Sequence, residues 1–201
     1  MTESRSTFLS AAASFVAQVA AVPAGQLNGP GLGEWDLRSL VGHTSRSLVT
    51  VETYLDQPAG AVEVPTAAGY FVAGIGKADP AAITERGRQA GLALGDDPAG
   101  FVGDLLDRIA ARLPAYDDSY VLTTIAGGMV LSEYLRTRTF ELVVHGLDIE
   151  RACGVGPALG RDAMADAATL AAEVAVLTGH GPDLLTALTG RATLPPGFSV
   201  V

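Results

Sequence analysis

The chain of 201 residues holds a single cysteine, Cys153, so no intramolecular disulfide can form and no Cys-rich metal cluster exists. A reducing, cytoplasmic setting is expected. Lys77 is the only lysine, and no stretch strings together more than two cationic side chains. With 22 acidic residues against 13 basic ones and a net charge of −9, there is no basic stripe to track phosphates, which argues against nucleic-acid binding. No apolar run reaches the ~18 residues needed to cross a bilayer, so no membrane partner is expected. The segment from Phe8 to Ala24 is not read as a secretory leader. Glu3 spoils a basic start, Ser10, Ser14 and Gln18 interrupt the apolar run, and Phe8, Ala12, Phe15, Val16 and Val19 follow helical spacing. Gly-x-Ser-x-Gly elbows, P-loops and dinucleotide fingerprints are all missing, and Gly127-Gly128 is too short to cradle a phosphate.

What is present is a well-apolar chain, 48% hydrophobic and only 17% charged, long enough for one domain with a proper core and too short for two large ones. Helix signals dominate. Asp36 can cap a helix over about 36–56, whose buried stripe is Leu37, Leu40, Val41, Thr44, Leu48 and Val51. Asp79-Pro80 and Asp97-Pro98 pair an N-cap acid with proline at the first helical position, opening helices over about 79–94 and 98–113. Residues 57–78, rich in Gly and Pro, read as a loop with an irregular helical turn near 67–72, and 123–128 as a further loop. The longest periodic segment, 129–152, ends at Gly154, with Leu131, Leu135, Phe140, Leu142, Val143 and Ile149 as its apolar surface. Helices over about 161–177 and 182–188 follow. No strand alternation is strong enough to compete, so the fold class is all-α.

Only three histidines exist, which makes their placement informative. His180, in Thr-Gly-His-Gly-Pro, reads as a solvent-exposed turn residue. His145 lies mid-helix with Glu141 one turn before it, a spacing that puts both side chains on one face with Cβ atoms about 5–6 Å apart. His43 lies near the apolar stripe of the early helix and could face the same interior. Two imidazoles and a carboxylate would make a three-ligand site for a divalent metal, zinc first. The spacing equally suits an ordinary surface Glu–His pair. Arg138, Glu141, His145 and Asp148 continue down one face, so Asp148, and with it Arg138, could support the ligands from behind; a solvated ladder of alternating charge is the competing reading, above all for Arg138. Cys153, near a helix end, reads as a small hydrophobe.

The stretches Trp35-Asp36-Leu37-Arg38-Ser39-Leu40-Val41-Gly42-His43 and Arg138-Thr139-Phe140-Glu141-Leu142-Val143-Val144-His145-Gly146-Leu147-Asp148 resemble, in this order, the two His-bearing motifs of the mycothiol-dependent maleylpyruvate isomerase family. That family belongs to the wider DinB-like group of metal-binding helical bundles. The tail, Leu185 to Arg191 and then Leu194 to Phe198, is similar to the way short family members end. The resemblance implies a DinB-like up-down four-helix bundle with principal helices at about 3–21, 36–56, 98–113 and 129–153. The helix at 79–94 is then an extra one. The single domain 1–201 would comprise a core bundle of about 3–155, with carboxy-terminal helices and tail, about 156–201, packed outside.

The resemblance also implies that His43, Glu141 and His145 are metal ligands, usually for zinc, and that mycothiol is the thiol cosubstrate. Its metal-activated thiolate would attack a small electrophile, in an isomerase or transferase reaction. The chain stops soon after the last helix, leaving no room for the extra carboxy-terminal domain of the isomerase proper, so maleylpyruvate itself is not the expected substrate. Two other functions share the same ligands: a non-catalytic metal-containing bundle that binds a ligand or partner, and a metal-activated hydrolase. A homodimer is the default assembly.

Overall fold

The computed structural model describes residues 3–75 and 79–201; Lys77 and the last residues of the loop expected over 57–78 lie outside them. Eight α-helices are described: α1 (Glu3–Ala21), α2 (Leu37–Tyr54), α3 (Ala67–Gly74), α4 (Pro80–Ala93), α5 (Pro98–Arg112), α6 (Leu131–Cys153), α7 (Arg161–Leu177) and α8 (Gly181–Leu188). The local chemistry read from the sequence sets their ends. Asp36, Asp79 and Asp97 each accept a hydrogen bond from a backbone N–H of the first turn, at Ser39, Ala81 and Gly100 respectively. Gly154 closes α6 in the left-handed conformation, with φ of 76°.

Helices α1, α5, α2 and α6 form a four-helix bundle, neighbouring one another in that cyclic order. Side-chain bridges fix their directions. Arg5, early in α1, donates to the carbonyl of Leu113 at the end of α5, so these two are antiparallel. Gln18, late in α1, donates to Gly146, late in α6, so these are parallel. Arg108, late in α5, pairs with Glu52, late in α2, again parallel. Tyr54 at the end of α2 meets Tyr134 at the start of α6, 5.5 Å between ring centroids, so α2 and α6 are antiparallel. In chain order the four helices therefore run up, down, down, up. The core between them is apolar and closed, with Phe8, Phe15, Leu40, Leu48, Leu105, Ile109 and Leu135 at 0–1% exposure.

Four features differ from the sequence expectations. The bundle helices run up, down, down, up in chain order instead of alternating up and down, because α3 and α4 lie between α2 and α5 and carry the chain back to the end where α2 began. Residues expected as a loop before the last bundle helix form a two-stranded antiparallel hairpin, β1 (Val121–Thr124) and β2 (Gly127–Val130), turning through Ile125 and Ala126. Four-residue strands carry too little alternation to register as strand, and the hairpin draws its support from distant chain. The Gly128 carbonyl accepts from the N–H groups of Glu63 and Val64, and the Gly128 N–H donates to the Glu63 carboxylate. Helix α6 consequently begins at Leu131 rather than 129. The segment near 67–72 is a regular two-turn helix, α3, capped by Thr66, whose hydroxyl accepts from the Gly69 N–H.

Helix α4, outside the four-helix set, packs directly on α2. The approach is so close that a Cβ on Gly42 would stand 2.2 Å from the backbone nitrogen of Gly91, and one on Gly87 would stand 2.4 Å from the Trp35 indole. Helix α7 covers α6, α3 and α1, and α8 packs on α7. Among the described residues no helix is long and apolar enough to cross a membrane.

Candidate metal centre

The antiparallel seam between α2 and α6 brings the two His-bearing motifs together. His43 projects from α2, and Glu141 and His145 from successive turns of α6. The His43 and His145 rings meet edge to face, 4.9 Å between centroids at 84°. Glu141 Oε2 lies 3.1 Å from His145 Nε2. One ligand atom from each of His43, Glu141 and His145 falls within 4.8 Å of the others, and this is the only such His/Cys/Asp/Glu group of three or more among the described residues. Tetrahedral coordination at about 2.0–2.2 Å per bond sets ligand atoms roughly 3.3–3.6 Å apart, so small side-chain adjustments bring this set onto one cation.

Both imidazoles have defined surroundings. Asp148 Oδ2 lies 3.1 Å from His145 Nδ1, and its other oxygen accepts from Arg151 at 2.9 Å. With Nδ1 occupied in this way, Nε2 of His145 is the nitrogen left to face Glu141. His43 is different. Its Nδ1 is buried with no hydrogen-bond partner among the described residues, an arrangement that costs free energy unless something outside the chain satisfies the ring. On its other side the ring packs against Trp35, 4.5 Å between centroids. The Trp35 indole N–H donates to the Thr84 carbonyl of α4 at 2.9 Å, and so α4, through its glycine contacts with α2, positions the wall behind His43.

The electrostatics follow from this geometry. Burial, reinforced by the nearby His145, pulls the His43 pKa down to about 4, so His43 is neutral at pH 7. Burial would lower His145 too, but hydrogen bonds to Asp148 and Glu141 outweigh it and hold this imidazole at about 9. Glu141 is pushed up by burial and pulled down more strongly by its bond to His145 and by the charge of Arg138, ending well below the ordinary carboxylate range. Asp148 is likewise lowered, first by its bond to His145.

Arg138 touches none of the three central side chains within ion-pair or hydrogen-bond distance. Its Nε donates to the Thr137 hydroxyl at 2.9 Å, and its guanidinium lies over the rings of Tyr70 and Tyr134. His180 stands exposed between α7 and α8, outside this group, with its ring edge to face with Phe198. Cys153 donates to the Ile149 carbonyl of its own helix.

The pattern of one protein family, described as the mycothiol maleylpyruvate isomerase N-terminal domain, matches residues 8–150 of this chain. The chain belongs to this family. No curated protein and no solved structure matches it. The stretch shared with the mycothiol maleylpyruvate isomerase N-terminal domain runs through the four bundle helices from Phe8 of α1 to Glu150 of α6, with Trp35, His43, Arg138, Glu141, His145 and Asp148 inside it, and leaves α7 and α8 outside. It also contains site neighbours to which the sequence reading assigned no role: Trp35 against His43, and Tyr54, Tyr70 and Tyr134 around Arg138. Two of these carried a signal. Tyr54 lies eleven residues after His43, and Tyr134 four residues before Arg138, on the same helical stripes. Tyr70 sits on a helix the sequence marked only weakly.

Proposed function

We propose that this chain is a metal- and thiol-dependent enzyme, an isomerase or S-transferase acting on small electrophiles, with His43, Glu141 and His145 holding a divalent cation, zinc first. The observation that carries the reading is the convergence of these three side chains from two helices, with His43 Nδ1 buried and without a hydrogen-bond partner among the described residues. Three protein ligands are what catalytic zinc sites use, whereas structural sites close with four. The donor set of two imidazoles and one carboxylate suits zinc and related divalent ions.

Each residue has a distinct task. His43 offers a neutral imidazole at neutral pH, held against Trp35. Asp148 accepts a hydrogen bond from the Nδ1–H of His145, which fixes the tautomer and directs Nε2 inward. Glu141 supplies the negative charge. A bound cation stabilises the thiolate form of a thiol whose pKa is otherwise about 8.5, supplying a nucleophile at neutral pH. The family description points to mycothiol as that thiol. A reduced thiol pool and the single cysteine both favour a cytoplasmic location.

The test is turnover of a panel of small electrophiles by metal-loaded protein, with and without mycothiol. Consumption that requires both metal and thiol is expected. Thiol-independent hydrolysis of an ester or amide would instead indicate a metal-activated hydrolase, and metal binding with no turnover of any panel member would indicate a binding bundle.

A further inference from the structure

The α2–α6 seam does not end at the histidines. One turn before Glu141, Arg138 is 8% exposed, yet it forms no ion pair with any carboxylate among the described residues. Several more exposed arginines of the chain are paired directly. Arg136, two residues away, meets Glu133, Asp166 and Glu173, and Arg108 and Arg112 meet Glu52 and Asp56. A buried guanidinium that feels the charge of Glu141 but makes no direct contact with any carboxylate is costly, and a chain with 22 acidic side chains does not lack candidates to pair it.

The surroundings of Arg138 suggest what it is kept for. Its ζ carbon lies 5.1 Å from the centroid of Tyr134 and 5.3 Å from that of Tyr70, so aromatic faces hold the cation in place. Its Nε is occupied by Thr137 at 2.9 Å. The two terminal nitrogens make no hydrogen bond among the described residues, and neither is among the unpartnered polar atoms sealed from solvent. They are thus unpaired and not fully sealed from solvent. Glu141, three residues on, is engaged with His145 Nε2 at 3.1 Å instead. A guanidinium edge presenting two free N–H groups matches the fork of a carboxylate.

We propose that Arg138 is a substrate-binding residue: its guanidinium, held between Tyr70 and Tyr134, takes the carboxylate of a small anionic electrophile and holds the rest of that molecule beside Glu141 and His145. Residues three apart on a helix are neighbours, so a ligand anchored at Arg138 needs only a few bonds to reach the histidine end of the seam. The orientation toward the histidines rests on the thiol-dependent reading above; the capture of a carboxylate by Arg138 does not.

The probe is crotonate, a carboxylate next to an electrophilic double bond, compared with crotonamide, its neutral amide. Both are titrated by NMR into chelator-treated, metal-free protein, so that the carboxylate has no cation to ligate. Crotonate is expected to bind and to shift the Arg138 Nε–H resonance, and crotonamide is expected not to. Arg138→Gln should weaken crotonate about 10- to 100-fold, the usual loss for a hydrogen bond to a charged group, and Arg138→Lys should weaken it less. Metal content of Arg138→Gln should equal that of the parent. Absence of crotonate binding, equal binding of crotonate and crotonamide, or undiminished crotonate binding by Arg138→Gln would overturn the proposal. Should Arg138→Gln not fold, the two probes on the parent and the Arg138→Lys comparison decide it. A chain that binds no metal but still prefers crotonate through Arg138 would sink the thiol-dependent reading alone.

Discussion

Asp148 and His145 face each other across 3.1 Å, carboxylate oxygen to Nδ1, on one face of α6. A carboxylate behind an imidazole orients the ring and raises its basicity as a ligand, and removing such a partner typically costs 10–100-fold in metal affinity. Asp148→Asn should therefore weaken metal binding by about that factor while leaving the fold intact, as read by competition with a chelator of known affinity. Unchanged affinity would mean that Asp148 serves only as an ordinary surface partner for Arg151.

Loading the site should expel a proton. At pH 7 His43 is already neutral and Glu141 already ionised, but His145, held up at about 9, carries a proton that a metal must displace. Metal binding should release about one proton at pH 7, and affinity should rise about tenfold per pH unit between 7 and 9, levelling off above. Calorimetric titrations in buffers of different ionisation enthalpy measure the release. A buffer-independent heat would contradict the protonated state of His145.

The contact of α4 with α2 leaves no room at Gly42, where a Cβ would stand 2.2 Å from the Gly91 nitrogen. Gly42→Ala should cost about 1–3 kcal/mol of stability by overpacking, and should change Trp35 fluorescence because α4 carries the acceptor of its indole N–H. Gly60→Ala, with open space around the site, is the control and should be close to neutral. Denaturant unfolding followed through the single tryptophan reports both quantities at once.

Gln18 is a buried amide, 2% exposed, whose nitrogen donates to the carbonyls of Gly146 at 2.8 Å and Val155 at 2.7 Å. Gln18→Ala would leave the Gly146 and Val155 carbonyls without this donor beside His145, at a cost of about 1–3 kcal/mol. A shift in the denaturation midpoint smaller than about 0.5 kcal/mol would indicate that water replaces the amide without loss.

Much of this arrangement was legible in the sequence because it is written in local chemistry. The Asp-Pro pairs and Gly154 marked helix ends that coincide within a residue with the observed ones, and the 3.6-residue stripes of 36–56 and 129–152 identified residues that are buried. The Glu141–His145 spacing gave one helix turn of the site. What stayed hidden depends on contacts between distant segments. Strands of four residues stabilised by Glu63 carry no periodic signal, and nothing local marks Gly42, Gly87 and Gly91 as places of close approach between α2, α4 and Trp35. Arg138 read as one rung of a charge ladder, whereas its immediate surroundings are the rings of Tyr134 on its own helix and Tyr70 on another.

The central claim is that His43, across the seam from Glu141 and His145, completes a metal site. The most direct measurement is metal content per chain by elemental mass spectrometry, on tag-free protein purified without chelators, for the parent, His43→Ala and Glu141→Ala. The account predicts about one zinc or similar divalent ion per parent chain, lost in both folded variants. Equal metal content in parent and variants, or none in the parent even after reconstitution with zinc, would contradict it.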